Sequence, residues 1–421
     1  MPPKKGKKKG KKKGKPKKLA GTAETPQQVM KRFLRTYENN CLQSNSLVSP
    51  SLKSKIKNCI EENQILAKFV LEAVPKILPE DTQVSIESLL LSIRQEHYKW
   101  IKDVHIWQLP LQHQDIATLA LLMERGADNY PIKTLEMMDC LIEPYPLKRL
   151  SEAFPACSSL TNILLDYNEF GDEGCMNLCR GLEGNKTVIS LSMCFCELTS
   201  KVGKILGDIA ATTAVREFYL DGNDIGCEGT LELLRLCADQ AEIEAYEREE
   251  AKRKKLEEEA LLEMQAKENK YNFDAPVVEK VDEPKADDKK KKGKKKKKKK
   301  VKEPPGPPPV GPWIYKLHIA DNGLDAMGPG GNFAPLICMR LIKQLIQNSM
   351  CLEELDIEDN LIGDMGGREV LEGLRERTDA KMPGLKLRTT HRMNDDTFSE
   401  LVKLGTGLKK KKKKGRKKKK K

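Results

Sequence analysis

Aromatic residues are scarce in this chain of 421 residues: they make up 5% of it, and tryptophan occurs three times. No apolar run approaches the roughly 18 residues that a membrane-spanning helix needs, so we expect no membrane span. The N-terminal stretch MPPKKGKKKGKKKGKPKK has no apolar segment behind it. We therefore expect no secretory signal and a cytoplasmic or nuclear location.

Sequence motifs of catalytic and metal-binding sites are also missing. The five histidines include His105 and His113, but neither has a cysteine or carboxylate partner at metal-ligand spacing. Cys194 and Cys196 form a Cys-x-Cys without a second pair, so reduced, packed cysteine is the expectation for the twelve thiols. No Gly-x-Ser-x-Gly elbow occurs, and the carboxylates of LEELDIEDN alternate with Leu and Ile as outward strand residues do. We expect no enzyme activity, no cofactor and no metal.

Three lysine-rich tracts contain no acidic residue at all. Residues 1–18 and 289–300 hold 11 Lys each, and residues 409–421 hold 11 Lys and one Arg. These 34 positive charges exceed the net charge of +14, so the remainder of the chain carries a net −20. Like charges repel, so we expect disordered basic arms that either solubilise the chain or bind a polyanion: nucleic acid, acidic lipid or acidic tubulin tails.

The segment GLEGNKT raises the question of a phosphate-binding loop. Such a loop needs a glycine directly before its Lys-[Ser/Thr] pair, but Asn185 precedes Lys186, and Gly184 stands one place too early. The spacing argues against a nucleotide site. The same segment instead fits the end of a helix and the turn into a following strand.

An apolar template recurs along the chain at steps of 27 or 28 residues, which indicates a repeat architecture. Its copies are Ile132/Leu135/Met137/Cys140/Ile142, Leu160/Ile163/Leu165/Asn168/Phe170, Val188/Leu191/Met193/Cys196/Leu198 and Val215/Phe218/Leu220/Asn223/Ile225. Further copies are Val104/Trp107/Leu109/Gln112, Ile314/Leu317/Ile319/Asn322/Leu324, Leu352/Leu355/Ile357/Asn360/Ile362 and, more weakly, Met382/Leu385/Leu387/Thr390. The copies that begin at Ile314 and Leu352 are further apart than the others, and the extra residues include MGPGGNFAP, which indicates a loop insertion.

These copies resemble the leucine-rich repeat of the ribonuclease-inhibitor-like class, over about half of the chain. The resemblance implies an α/β solenoid, a horseshoe with a short parallel strand and a helix in each repeat. The apolar-x-apolar core predicts strands near residues 135–137, 163–165, 191–193, 218–220, 317–319 and 355–357. Buried Asn or Cys at the turn position is expected to bond backbone groups.

The predicted organisation has six segments. They are a disordered basic tail (1–26), a helical cap (27–103) that starts at a capped helix with Thr25, repeats (104–242), a charged helix with a Lys/Pro-rich disordered insertion (243–312), repeats (313–405) and a second disordered basic tail (406–421). The insertion should loop out and leave residues 218–220 beside 317–319. The apolar content of its charged helix is too thin for a sustained heptad.

A protein-binding concave face is the predicted functional site, since solenoids use that surface for partners. Its candidate residues combine aromatic and acidic side chains: Asp166, Tyr167, Phe195, Tyr219, Asp221, His318, Asp321, Glu354, Asp356 and Glu358. A solvated acidic face without a partner is the alternative.

The resulting hypothesis is a non-catalytic scaffold that docks a protein on this face and a polyanionic surface through its lysine arms. Repeats of this class with lysine-rich tails look similar to cytoskeletal or ciliary-axoneme components. A nuclear or nucleolar nucleic-acid adaptor remains open, because lysine runs also serve import and nucleic-acid binding. A GTPase-activating regulator is a third possibility, because one branch of the repeat class that this chain resembles has that activity. That branch is expected to carry an acidic tail, whereas this chain has basic tails. A tropomodulin-like actin binder is a fourth, without an evident actin-binding segment.

Overall fold

The chain is represented by a computed structural model that describes residues 24–75, 82–271 and 309–405. One sheet of nine parallel strands runs through these residues, and the strands lie side by side in sequence order. The strands are β1 (Lys68–Glu72), β2 (Asp103–Trp107), β3 (Thr134–Met138), β4 (Asn162–Leu164), β5 (Ser190–Ser192), β6 (Glu217–Tyr219), β7 (Lys316–His318), β8 (Glu354–Ile357) and β9 (Lys386–Thr389).

Helices alternate with the strands, as parallel pairing requires a crossover between neighbours. They are α1 (Pro26–Gln43), α2 (Pro50–Glu61), α3 (Ile86–Gln95), α4 (His113–Met123), α5 (Pro144–Ser151), α6 (Gly171–Leu182), α7 (Gly203–Thr212), α8 (Gly226–Tyr271), α9 (Ala334–Asn348), α10 (Gly363–Asp379) and α11 (Asp395–Gly405). In the described part of the chain, no helix is long and apolar enough to span a bilayer. The architecture is an α/β repeat compatible with a solenoid.

The apolar template explains why the strands pair in this register. Ile163 of β4 lies beside Leu191 of β5, which lies beside Phe218 of β6, and all three are fully buried. Their neighbours in the sequence point to the opposite face, because side chains alternate along a strand. Each predicted strand is confirmed to within one residue of its observed bounds.

The sheet continues without a break across the charged insertion. Phe218 of β6 pairs with Leu317 of β7, which confirms that the two predicted strands are adjacent. The helix of the repeat that precedes the insertion extends as one helix, α8, to Tyr271, as the sequence predicts. The lysine run and the proline-rich segment that follow, like both predicted basic tails, lie outside the described residues apart from a few flanking positions.

The predicted helical cap is wrong for residues 68–72. Its first helix is confirmed, because the Thr25 hydroxyl accepts a hydrogen bond from the Gln28 amide and the Gln28 side-chain oxygen accepts one from the Thr25 amide. Helix α2, however, ends at Glu61, with Asn63 in a left-handed conformation, φ +53°. The next apolar residues then form strand β1, where Phe69 pairs with Val104 of β2. Phe69 and Leu71 already match the apolar-x-apolar core of the repeats.

Two outer copies of the template are displaced from their predicted registers. In the first repeat Val104 pairs with Leu135, so the matching set is Ile101, Val104, Ile106, Leu109 and Leu111, all buried. The step to the next repeat is therefore longer than 28 residues. In the last repeat Leu387, rather than Leu385, lies beside Leu355.

Buried asparagines hold the turns that follow β4, β6 and β8, and we call this set of side chains the polar ladder. The Asn168 amide nitrogen donates to the carbonyls of Met137 and Leu165, both at 2.8 Å. Its oxygen accepts the amides of Cys140 at 2.9 Å and Ile142 at 3.3 Å. Asn223 and Asn360 repeat this arrangement two and four strands further on. The ladder confirms the predicted role of the turn position.

Asn168→Ala is expected to lower the free energy of unfolding by about 1–3 kcal/mol, because it leaves buried backbone donors and acceptors without partners. Denaturant unfolding measures this change. Asn162→Ala is the control within the same repeat, since that half-buried side chain makes a single 3.3 Å contact to Thr134. Equal stability of Asn168→Ala and the control would contradict the ladder.

Candidate protein-binding surface

The candidate residues occupy two adjacent zones, the outward face of the strands and the turns that follow the strands. Tyr219, His318, Glu354 and Asp356 lie on strands and point away from the helices, at the outward positions of the sheet registers. The turns that follow the strands carry Tyr167, Phe195 and Asp321. The remaining candidates, Asp166, Asp221 and Glu358, lie between the strand ends and these turns. We call the outward strand residues the strand face and the turns the rim.

Two aromatic side chains form the most exposed feature of the rim. The rings of Tyr167 and Phe195 stack with their centroids 4.8 Å apart and their planes 7° from parallel. Tyr167 is 49% exposed and Phe195 is 43% exposed. Because both stacked rings are partly exposed, they present a flat apolar surface to solvent, which we call the platform.

The backbone under this platform is strained. Tyr167 has φ +61° and Phe195 has φ +55°, in the left-handed region that costs a residue with a bulky side chain about 1–2 kcal/mol. The equivalent turn position of the next repeat is Gly222, at φ +69°. A Cβ atom at Gly222 would lie 2.2 Å from the Phe195 ring. Gly222 therefore leaves the space in which the platform lies.

Acidic residues border the aromatic platform. Glu169 and Glu197 follow the two aromatic residues by two positions, and both are exposed. Glu197 also adopts a left-handed conformation, φ +57°. An aromatic face next to carboxylates suits a cationic side chain, which the ring quadrupole and the carboxylates both attract.

The acidic cluster predicted near the C-terminal repeats is largely paired. Glu354 contacts the Lys386 ammonium and lies 3.3 Å from His318. Asp356 is buried and accepts from Arg388 at 3.2 Å. Burial alone would raise the pKa of Glu354, but hydrogen bonding and attraction from Lys386 outweigh it and lower that pKa. Glu354 and Asp356 are therefore paired and largely enclosed, whereas Asp321 and Glu358 are exposed.

Two of the predicted binding carboxylates support the backbone. Asp166 accepts the Ser192 hydroxyl at 2.6 Å and the Cys194 amide at 2.9 Å, and burial raises its pKa. Asp221 accepts the Ala320 amide at 2.8 Å across the strands that flank the insertion. Tyr219 packs edge-on against His318 with centroids 4.7 Å apart. These contacts hold the side chains of the strand face in place. The rim is therefore the more accessible part of the candidate surface.

A polar cluster on the first strands was missed by the sequence reasoning. The Glu136 carboxylate accepts from Trp107 Nε1 at 2.6 Å and contacts His105 Nδ1 at 2.5 Å. Hydrogen bonding to His105 is the main cause of the lowered pKa of Glu136. The corrected register of the first repeat would have found this cluster, because it places His105 and Trp107 outward beside Glu136.

Metal binding finds no support in the described ranges, which contain no group of three or more His, Cys, Asp or Glu side chains placed around a common ion position.

Phe195→Asn is expected to change the free energy of unfolding by less than about 1 kcal/mol. The substitution removes a stacking contact of about 0.5–1.5 kcal/mol, but asparagine tolerates the left-handed conformation. Phe170→Ala serves as the comparison: this fully buried ring should cost about 3–5 kcal/mol. Thermal and denaturant unfolding of both variants measure the difference. A Phe195→Asn variant as unstable as Phe170→Ala would show that the platform is structural.

No family profile matches the sequence. A curated protein of Mus musculus, NACHT, LRR and PYD domains-containing protein 4B, is 30% identical to it over 135 residues. The match covers 31% of this chain, and the chain spans only 15% of the length of the mouse protein. Together with the nine-stranded repeat sheet, this similarity supports the leucine-rich repeat class at that level and nothing narrower.

Proposed function

We propose that this chain is a non-catalytic scaffold that binds a protein partner through the rim and the strand face. The observation that supports it best is the exposed Tyr167–Phe195 platform, whose two rings stand at a left-handed turn position that five other repeats fill with glycine or a polar residue, namely Gln108, Asp139, Gly222, Asp321 and Asp359. A bulky aromatic residue suits the left-handed conformation less well than glycine, asparagine or aspartate does, so stability alone does not explain two aromatic residues there. Aromatic residues also dominate the energetics of protein interfaces.

The partner segment that fits the platform carries arginine or lysine. Its cation would lie over the rings, while Glu169 and Glu197 supply opposite charge at the border. In a horseshoe-shaped solenoid, which we propose for this chain, the strand face is the concave side and repeats add contact area along it. The name of the similar mouse protein includes leucine-rich repeats, which agrees with a protein-interaction role.

The lysine tracts extend the proposal to a second, polyanionic partner. Acidic tubulin tails would meet these tracts on a cytoskeletal or axonemal surface, and the net −20 of the remaining chain leaves the tracts as the source of attraction. Nucleic acid in the nucleus is the alternative, because its phosphates would attract the same lysines. A GTPase-activating role has no residue that we can assign to it.

Localisation of a tagged full-length chain in ciliated cells tests the cytoskeletal part of the proposal. The expected result is a signal along axonemes or microtubules. A nucleolar or diffuse nuclear signal would replace tubulin by nucleic acid as the polyanion. It would leave the proposed protein-binding rim untouched, since that part rests on other residues.

A further inference from the structure

The edge of the sheet at which the strands begin, which we call the amino edge, lies opposite the rim. Backbone hydrogen bonds join the residues that precede successive strands there. The Lys102 amide donates to the Ala67 carbonyl at 2.9 Å, and the Lys133 amide donates to the Lys102 carbonyl at 2.6 Å. Both lysines are exposed. Their side chains therefore start from neighbouring strand positions, which are about 4.8 Å apart in a sheet.

A third lysine and a tryptophan extend this group. Lys99 is exposed, and Trp100 is 45% exposed with its ring edge-on to the buried Tyr98 ring, at a centroid distance of 5.5 Å. Lys99 also lines an open hollow of about 350 Å³, together with His97, Asn129 and Tyr130. We call Lys99, Trp100, Lys102 and Lys133 the amino-edge patch.

The three lysines of the patch have no bound opposite charge. Among the residues that the structure describes, none of them forms an ion pair or a side-chain hydrogen bond. Lysines on the strand face are paired instead: Lys316 contacts Glu217 at 3.1 Å, and Lys386 contacts Glu354. Outside its lysine tracts the chain carries a net −20, so the patch is a positive site on an otherwise acidic remainder. Such a site attracts an anionic partner.

The first helix begins at the same edge as the patch. The Gln27 amide donates to the Asn63 side-chain oxygen at 3.2 Å, and Asn63 lies four residues before Ala67. Six residues separate Lys18, the end of the N-terminal lysine tract, from Glu24. Six residues of extended chain span at most about 22 Å. An anion bound at the patch is therefore within reach of that tract, which would add to the attraction.

We propose that the amino-edge patch binds an acidic peptide segment with consecutive carboxylates. The inference rests on the proposed function, because this is the class of partner assigned there to the lysine tracts. The three ammonium groups pair with carboxylates, and Trp100 supplies the aromatic contact that protein interfaces favour. A nucleic-acid strand stacks successive bases on several rings, but Tyr98 and Tyr130 are buried and leave one exposed ring here. Because the rim lies at the opposite edge, both partners bind at once.

Cross-linking of the full-length chain with an oligoglutamate peptide, its carboxylates pre-activated by carbodiimide, tests the proposal. Activated carboxylates form amide bonds with the lysines that they contact, and peptide mass spectrometry locates these bonds. Lys148 and Lys204, two exposed lysines of the helix layer, are the internal reference. The expected yield at Lys99, Lys102 and Lys133 is about threefold higher or more, and it falls as salt rises.

Variants separate a bound segment from chance reaction of exposed lysines. Lys102→Gln combined with Lys133→Gln should lower the yield at Lys99. The matched control, Lys148→Gln combined with Lys204→Gln, should not lower it. Trp100→Ala should lower the yield at all patch lysines, with a melting curve recorded to show that it folds.

Equal yields at the patch and at the helix-layer lysines of the unaltered chain would overturn the proposal. Stronger competition by an oligouridylate than by unmodified oligoglutamate of equal charge would also overturn it, in favour of RNA. A nuclear location of the tagged chain together with the expected cross-links would remove tubulin from the proposed function and keep the patch. An axonemal location without these cross-links would do the reverse.

Discussion

Removal of residues 1–18 together with residues 409–421 is expected to abolish most of the binding to microtubules or nucleic acid at moderate salt. The deletion takes away 23 positive charges and no negative ones. Lysines that neutralise acidic groups release counterions, so binding depends steeply on salt; for duplex DNA the log–log slope is about −0.9 per phosphate contact. Co-sedimentation over a salt series measures both the loss and the slope.

The truncated chain should keep its circular dichroism and its melting temperature, since runs of like charge cannot contribute to a core. Competition experiments distinguish the two candidate polyanions, acidic tubulin tails and nucleic acid. Microtubules without their acidic tails should compete poorly if tubulin is the target, whereas RNA should compete well if nucleic acid is. Equal binding by the truncated chain, or binding by the full chain that does not change with salt, would assign the interaction to the strand face and rim.

Gly203→Val is expected to destabilise the fold by about 3 kcal/mol, the upper end of overpacking costs. A Cβ at Gly203 on α7 would lie 2.2 Å from the Gly229 carbonyl oxygen and 2.7 Å from its Cα, on α8. Both are backbone atoms, so no side-chain rotation relieves the clash. The helix that continues into the charged insertion would have to move away from its neighbour.

Gly328→Val provides the matched control, because a Cβ there meets no atom within 4 Å. Chemical denaturation with a common slope for the variants gives the difference in unfolding free energy. A Gly203→Val chain as stable as the control would show that α7 and α8 do not pack as closely as the structure places them.

The repeat core was predictable because its signal is local. Alternating apolar residues such as Ile163 and Leu165 define a strand, and Asn168 marks the turn, within nine residues of sequence. The same template located strands on both sides of the insertion, and their adjacency followed from the need of each repeat to bury its face on a neighbour. Strand β1 was misassigned because Phe69 and Val70 also fit helical spacing after α2.

The candidate site was less predictable, because its character depends on pairs that are distant in sequence. Composition shows Glu354 and Asp356 as acids, but only the register of β8 against β9 reveals Lys386 and Arg388 opposite them. Likewise, Tyr167 and Phe195 were recognisable as aromatic candidates. Their stacking and backbone strain required the geometry of two successive turns.

Site-specific photocrosslinking in cells tests whether a protein partner binds at the rim and strand face. A photoreactive phenylalanine analogue at Phe195 samples the rim, and the same analogue at Leu121, an exposed position on α4, samples the helix layer. We expect a discrete protein adduct from position 195, lost when Glu169 and Glu197 are changed to Lys, and no adduct from position 121. An adduct from position 121 with none from position 195 would contradict it.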